Sequence, residues 1–122
     1  MKTRGQVEAE ISEALIKFEK EYMGRGPEET KTYLMDDIVL VRLRGVLTPA
    51  EKQLATSEDA ARGRALIKQV RIELVEKARA LLEAIVQELT GRKVRSLHTD
   101  ISTTSGERVI IFTLDGRPEL DG

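Results

Sequence analysis

The sequence predicts an α+β fold of two layers, in which duplicated α-β-β units form a four-stranded antiparallel sheet with helices on one face. The main observation is an order of elements that occurs twice: helix, strand, turn and strand, at residues 4–45 and again at 57–116. The two copies end in the same way, because an apolar strand is followed by Gly45 in the first and by Gly116 in the second. Helices that alternate with hairpins favour a layer of helices on an antiparallel sheet.

The first unit begins with a helix over residues 4–23 and continues as a hairpin. In the helix, apolar side chains recur at steps of three and four with charged residues between them, as a helix on a core requires. Gly24 and the residues after it end the helix. Residues 30–44 are rich in β-branched and aromatic types, and Asp36-Asp37 between the two apolar runs predicts a tight turn.

The second unit follows a clear helix start at residues 48–51, Thr-Pro-Ala-Glu. These combine an N-cap threonine, a proline at the first helical position and a glutamate that can close a capping box. The helix pauses near Ser57, which we expect to cap a longer segment that reaches Thr90. A second hairpin then joins Val94–Ser102 to Arg108–Leu114 through a polar turn in which Gly106 can supply a positive φ. Residues 118–122 are expected to fray.

Two apolar stripes run along the long helix. The first, expected on the core, contains Ile67, Val70, Leu74, Ala78, Leu81, Ile85 and Leu89. The second, expected at a second surface or a second chain, contains Ile72, Val75, Leu82 and Val86.

Both faces of the predicted sheet are apolar. Alternation places Ile38 and Leu40 opposite Val39 and Val41, and the last strand alternates in the same way. Because helices on one face leave the other uncovered, we expect a homodimer or an assembly of dimers.

Composition limits the possible functions. At 122 residues the chain predicts one domain, 1–122, and a net charge of -1 from 20 basic and 21 acidic residues gives no field that would attract nucleic acid. The absence of cysteine excludes disulfides, thiol catalysis and thiolate metal sites.

No apolar run approaches the roughly 20 residues of a membrane span, so we expect no membrane insertion and a cytoplasmic location. A charged fraction of 34% without asparagine favours a thermostable protein.

The only histidine, His98, lies two and four residues before Asp100 and Ser102 on a predicted strand, so the three side chains share a face. This spacing suits a general base with an orienting carboxylate, or half of a metal site completed by another chain. The alternative is a structural histidine beside a polar neighbour, and it is favoured because the sequence supplies no third ligand. We therefore predict no catalytic residue, no metal and no cofactor.

Other charged residues have a structural alternative as well. Asp36 and Asp37 could form a carboxylate pair, but aspartate is also favoured in turns. Glu107 and Arg108 flank the second turn and are expected to be solvated charges that face each other across strands. A basic cluster around the hairpins could also bind phosphates, and its members would be Arg42, Arg44, Arg92, Lys93, Arg95 and Arg108. Proteins that bind single-stranded nucleic acid stack the bases on aromatic side chains, and the predicted sheet has too few of these. This argues against nucleic acid as the ligand.

Segments along nearly the whole chain resemble the MpsC-like family. They include Gly5–Ile11, Lys31–Tyr33, Val39–Arg44, Gly45–Leu54, Leu89–Gly91, Ser96–Thr103 and Gly106–Phe112. The family is named for association with a membrane-potential-generating, sodium-translocating or bicarbonate-concentrating system. The resemblance implies an accessory role beside membrane proteins and brings no established catalytic residues.

The resulting expectation is a non-enzymatic accessory or regulatory protein that serves a membrane ion or bicarbonate transport system. The alternative is a small-ligand or nucleic-acid binding module, and a metal-dependent enzyme that uses His98 and Asp100 is a third. The candidates for ligand binding are His98, Asp100, Ser102, Arg42, Arg44 and Arg108.

Overall fold

The protein, described by a computed structural model over residues 1–56 and 58–121, folds as three helices and one four-stranded sheet. The elements follow in the order α1 (Arg4–Met23), β1 (Glu29–Met35), β2 (Ile38–Arg44), α2 (Pro49–Thr56), α3 (Ala60–Thr90), β3 (Val94–Ile101) and β4 (Arg108–Leu114). The predicted α+β class and the positions of the elements are confirmed.

All neighbouring strands of the sheet are antiparallel, and their order is β1-β2-β4-β3. The two hairpins are therefore joined through β2 and β4, and the strands that begin at Ile38 and Arg108 lie in one sheet, as predicted. Each hairpin follows a long helix, α1 or α3. The internal duplication itself stays a prediction.

The core lies between one face of the sheet and the two long helices. Alternate residues of β2 and β4 point into it, as period-two alternation requires, and α1 adds a stripe at steps of three and four. Side chains from these three elements are Val39, Val41, Leu43, Ile110, Phe112, Leu114, Val7, Ile11, Leu15 and Phe18.

Local signals position the shorter elements. The predicted capping box at the start of α2 is present, because Glu51 N donates to Thr48 Oγ1 at 3.2 Å and Thr48 N donates to Glu51 Oε1 at 2.9 Å. The second helical segment is capped by Asp59, whose carboxylate accepts from Arg62 N. The predicted cap, Ser57, lies outside the described residues.

The predicted core face of α3 is only partly right, since Ile67 and Ala78 are buried as expected but other members of the stripe are not. Val70 and Leu81, expected in the core, are exposed, whereas Val75 and Leu82, expected at a second surface, are fully buried. The buried face is a single stripe of Gly63, Ile67, Arg71, Val75, Ala78, Leu82, Val86 and Thr90. Because Arg71 lies in the middle of this stripe, apolar periodicity alone does not identify the stripe as the buried face.

The expectation of a frayed end is also wrong for the described part of the tail. Asp121 N donates to Lys2 O at 2.9 Å, in a parallel bridge that pairs Asp121 with Thr3. Pro118 is buried. These contacts hold the C-terminal segment against the start of α1.

Candidate functional site

One face of the sheet carries no helix formed by the described residues, and we call it the open face. Its side chains form rows that cross all four strands in register. The central row is Tyr33, Leu40, Ile111 and His98, the second is Met35, Ile38, Thr113 and Ser96, and the third is Lys31, Arg42, Val109 and Asp100. The centre of the face is therefore apolar, and one end of it is charged.

The apolar centre of the open face is half-buried by its own neighbours. Leu40, Ile111, Ile38 and Val109 are each partly exposed, while Met35 at the edge is 48% exposed. Four partly exposed apolar side chains on the two central strands are typical of an interaction surface. The predicted two-sided apolar sheet is thus present in the structure.

His98 and Asp100 lie on the open face as the alternation predicts, but they do not form a pair. His98 is exposed and makes no hydrogen bond to a described residue, and Asp100 lies 3.7 Å from Lys68 Nζ. Ser102 follows the end of β3, where its hydroxyl accepts from Ser105 N. Among the described residues, no group of acidic, histidine or cysteine side chains could hold a metal ion. That His98 is structural stays a prediction.

Beneath the other face lies a cluster of four charged residues, Glu19, Glu51, Arg71 and Arg108, which we call the buried charge cluster. Glu19 comes from α1, Glu51 from α2, Arg71 from α3 and Arg108 from β4. Glu19, Arg71 and Arg108 are only 1 to 3% exposed. Charges so deeply buried persist in proteins only when they are paired.

The members of the buried charge cluster alternate in sign along a chain of contacts. Arg108 Nη1 donates to Glu19 Oε1 at 3.2 Å, and Glu19 Oε2 lies 3.7 Å from Arg71 Nη1. Arg71 Nε and Nη2 donate to the two oxygens of Glu51 at 2.9 and 2.7 Å. This bidentate pair connects α3 to the capping box of α2, and a further hydrogen bond joins Arg71 to the Val46 carbonyl.

The electrostatic balance differs between the two carboxylates. Burial raises the pKa of Glu19 above its usual value, although Arg108 and Arg71 act in the opposite direction. For Glu51, burial acts to raise the pKa, but hydrogen bonds from Arg71 and Thr48 outweigh it, so the pKa of Glu51 is lowered. Burial also lowers the pKa of Arg108.

The buried charge cluster is not fully satisfied. Arg71 Nη1 and Glu19 Oε2 are both buried without a hydrogen bond to a described residue. Arg71 also lines a cavity of about 60 Å³, together with Lys68, Ile72, Thr99, Asp100, Ile101 and Arg108. Arg108 Nε donates to Thr99 Oγ1 in the same wall.

The predicted arginine cluster is only partly formed. Arg42 and Arg44 lie together beside Glu107, with Arg42 Nε 2.8 Å from its carboxylate. Both line an open groove of about 670 Å³ between α2 and the β3–β4 turn. Arg108, expected at a solvated turn with them, points instead into the core.

The sequence analysis did not identify Glu19 and Arg71 as buried charges, and it did not predict that Glu51, besides closing the capping box, pairs with Arg71. A usable signal was present, since Glu19 lies four residues after Leu15, and Arg71 lies four residues from both Ile67 and Val75. A charge at such a position sits on the buried face of its helix. Two opposite charges of this kind predict a buried pair.

No helix in the described residues has the length and apolar character needed to cross a bilayer.

Comparisons with known proteins identify relatives along most of the chain. Residues 3–116 match the family described as "Na+-translocating membrane potential-generating system (MpsC)". YbcI of Bacillus subtilis, described as uncharacterized, is 44% identical over 113 residues, which cover 93% of this chain and 89% of YbcI. YrhF of the same organism, also described as uncharacterized, is 27% identical over 108 residues, 87% of this chain and 85% of YrhF. No solved structure matches. The match over 3–116 shows that the chain belongs to the MpsC family.

Proposed function

We propose that this protein is a non-enzymatic accessory protein of a membrane ion-transport system. It uses the exposed surface of α3 to contact a membrane protein and the open face to bind a second copy of itself. The family description supplies the system, a sodium-translocating generator of membrane potential. The observation that carries the proposal is an apolar stripe on α3 that no element within residues 1–56 and 58–121 covers.

This outer stripe consists of Leu66, Val70 and Leu81, which are 41 to 53% exposed. At 3.6 residues per turn the three side chains point in similar directions, about a third of a turn from the buried face. An apolar stripe of this length can pack against an amphipathic helix of a partner, with anchors at helical spacing. Solvent exposure of three large apolar side chains on one helix favours such a contact.

We expect replacement of Val70 and Leu81 together by lysine to release the protein from its membrane partner. Two lysines would place unpaired charges in an apolar contact, which costs several kcal/mol. The measurement is the fraction of tagged protein that sediments with host membranes and forms a site-specific photo-crosslink, through Leu66, to a transport subunit. Ala80→Lys is the control, because Ala80 is exposed on α3 outside the outer stripe. Equal crosslinking of the double variant and the control contradicts the proposal.

The open face suits a second copy because its charges are complementary under twofold symmetry. A twofold axis parallel to the strands lays β1 of one copy over β3 of the other. Lys31 then faces Asp100 across the interface, and Leu40 faces Ile111, by their places in the rows. Two sheets packed face to face in this way bury alternate side chains in a layer about 10 Å thick.

Leu40→Lys is therefore expected to convert a dimer into a monomer, with a mass near 13.7 kDa by light scattering. A lysine at the centre of the interface has no partner, so we expect dimerisation to weaken at least about a hundredfold. The Val70→Lys/Leu81→Lys variant is the control and should remain dimeric. A monomeric wild type at micromolar concentration would disprove this assembly.

The groove beside Arg42 and Arg44 favours a second candidate function, the binding of a small ligand. Its wall adds Lys52 and the hydroxyls of Thr56, Thr103, Thr104 and Ser105. The two arginines are already neutralised by Glu107 and Glu29, at 2.8 to 3.8 Å. The groove is therefore a weaker basis for function than the uncovered apolar surfaces.

A further inference from the structure

We propose that the cavity beside Arg71 and Arg108 binds a small oxyanion. The cavity, about 60 Å³, exceeds the roughly 10–15 Å³ of probe volume that a single water molecule needs. It suits a compact ion such as bicarbonate, nitrate, sulfate or phosphate and is too small for a nucleotide. The proposal does not depend on the outer stripe, and it shares only Asp100 with the open face.

The donors in the cavity wall come from two buried guanidinium groups and one lysine. Arg71 Nη1 is buried and donates no hydrogen bond to a described residue, although it lies 3.7 Å from Glu19 Oε2. Arg108 uses Nε for Thr99 and Nη1 for Glu19, and Nη2 donates to no described residue. An oxyanion in the cavity could accept from these free N–H groups, in the planar geometry that makes arginine a frequent partner of oxyanions.

Lys68 and Asp100 lie at the mouth of the cavity. Both residues, with Ile101, also line a shallower depression of about 340 Å³ on the outside of the sheet edge. Their side chains lie 3.7 Å apart and are 48% and 77% exposed. Asp100 can therefore turn away from Lys68, toward solvent in a single copy or toward Lys31 of a second copy, and leave Lys68 to an entering anion.

The balance of charges favours replacement of Asp100 by an anion as the partner of Lys68. With Asp100 turned outward, the cavity wall and the buried charge cluster contain three cations, Lys68, Arg71 and Arg108, against the carboxylates of Glu19 and Glu51. The difference of one positive charge matches a singly charged oxyanion. A cation would instead meet the two guanidinium groups, which disfavours it.

The proposal can be tested by calorimetric titration with sodium bicarbonate, nitrate, sulfate and phosphate, at constant ionic strength with chloride as the reference. We expect saturable binding of one ion per chain by at least one of these probes, and the preferred probe shows whether the site selects trigonal or tetrahedral ions. Lys68→Gln should weaken binding roughly tenfold through loss of a charged hydrogen bond. Lys77→Gln, an exposed site on the same helix, should leave it unchanged.

Asp100→Asn should have the opposite effect and tighten binding about two- to fivefold, because the competing carboxylate is lost. NMR signals of the Arg71 and Arg108 Nε–H groups should shift on saturation, while that of Arg92, which donates to the Arg117 carbonyl, should not. Absence of saturable binding for all four probes would overturn the proposal. So would equal affinities of the wild type and Lys68→Gln, or a loss of binding in Asp100→Asn.

Discussion

Replacement of Glu19 by alanine will lower the free energy of unfolding by about 3–5 kcal/mol, because it leaves two buried arginines without their shared counter-ion. Glu19 is 1% exposed and accepts from Arg108 Nη1, while its other oxygen lies 3.7 Å from Arg71. Urea denaturation followed by circular dichroism measures the change. Glu21→Ala is the matched control, since Glu21 is exposed on the same helix, and should change stability by less than about 0.5 kcal/mol.

A double variant separates the loss of charge pairing from the loss of packing. Glu19→Met with Arg108→Met removes opposite charges together and leaves Arg71 paired with Glu51. We expect the double variant to be more stable than the sum of the two single effects predicts, since apolar side chains can replace a buried ion pair at little cost. Additive effects would show that Glu19 and Arg108 do not interact in the folded protein.

The pH dependence gives a separate measure of the same carboxylate. Because the folded-state pKa of Glu19 is raised above 4.5, its folded form binds a proton more readily than its unfolded form. Its contribution to stability is therefore fully present below about pH 4.5 and declines as pH rises through the raised pKa. The wild-type stability minus that of Glu19→Gln should fall over that window. Glu51, whose pKa is lowered, contributes with the opposite sign and is the same in both proteins.

Element boundaries were predictable because local chemistry sets them. The capping box of Thr48 and Glu51 is present where the sequence places it, and Gly106, expected at a positive φ, has a φ of 75°. Both signals act over a few residues and need no knowledge of the tertiary fold. The same holds for the sheet faces, since alternation alone assigned Ile111 and Phe112 to opposite sides.

The orientation of α3 was not predictable from apolar periodicity. The buried stripe has Arg71 at its centre, and the charge of Arg71 is offset by Glu51 on α2 and Glu19 on α1. Contacts between residues so distant in sequence cannot be read from one helix. Alternation did place Arg108 on the same side as Ile110 and Phe112. Arg108 was nevertheless expected to be solvated, because it flanks a turn.

Substitution of Gly63 by alanine will destabilise the protein by about 2–4 kcal/mol, although alanine is the better helix former by about 1 kcal/mol. Gly63 is buried where α3 passes α2, and a Cβ atom there would lie 1.9 Å from the Leu54 carbonyl oxygen and 2.6 Å from its carbon. Both contacts are with backbone, so a rotamer change cannot relieve them, and α2 must move away from α3.

That movement should also reach the buried charge cluster, because Glu51 on α2 holds Arg71 through two hydrogen bonds of 2.9 and 2.7 Å. Gly5→Ala is the matched control: Gly5 is also helical, a Cβ atom there meets nothing within 4 Å, and the substitution should stabilise by up to about 1 kcal/mol. Urea unfolding gives both values, and the Arg71 Nε–H signal in NMR reports the loss of Glu51. If Gly63→Ala were as stable as Gly5→Ala, with that signal unchanged, α2 and α3 would not be in the close contact described here.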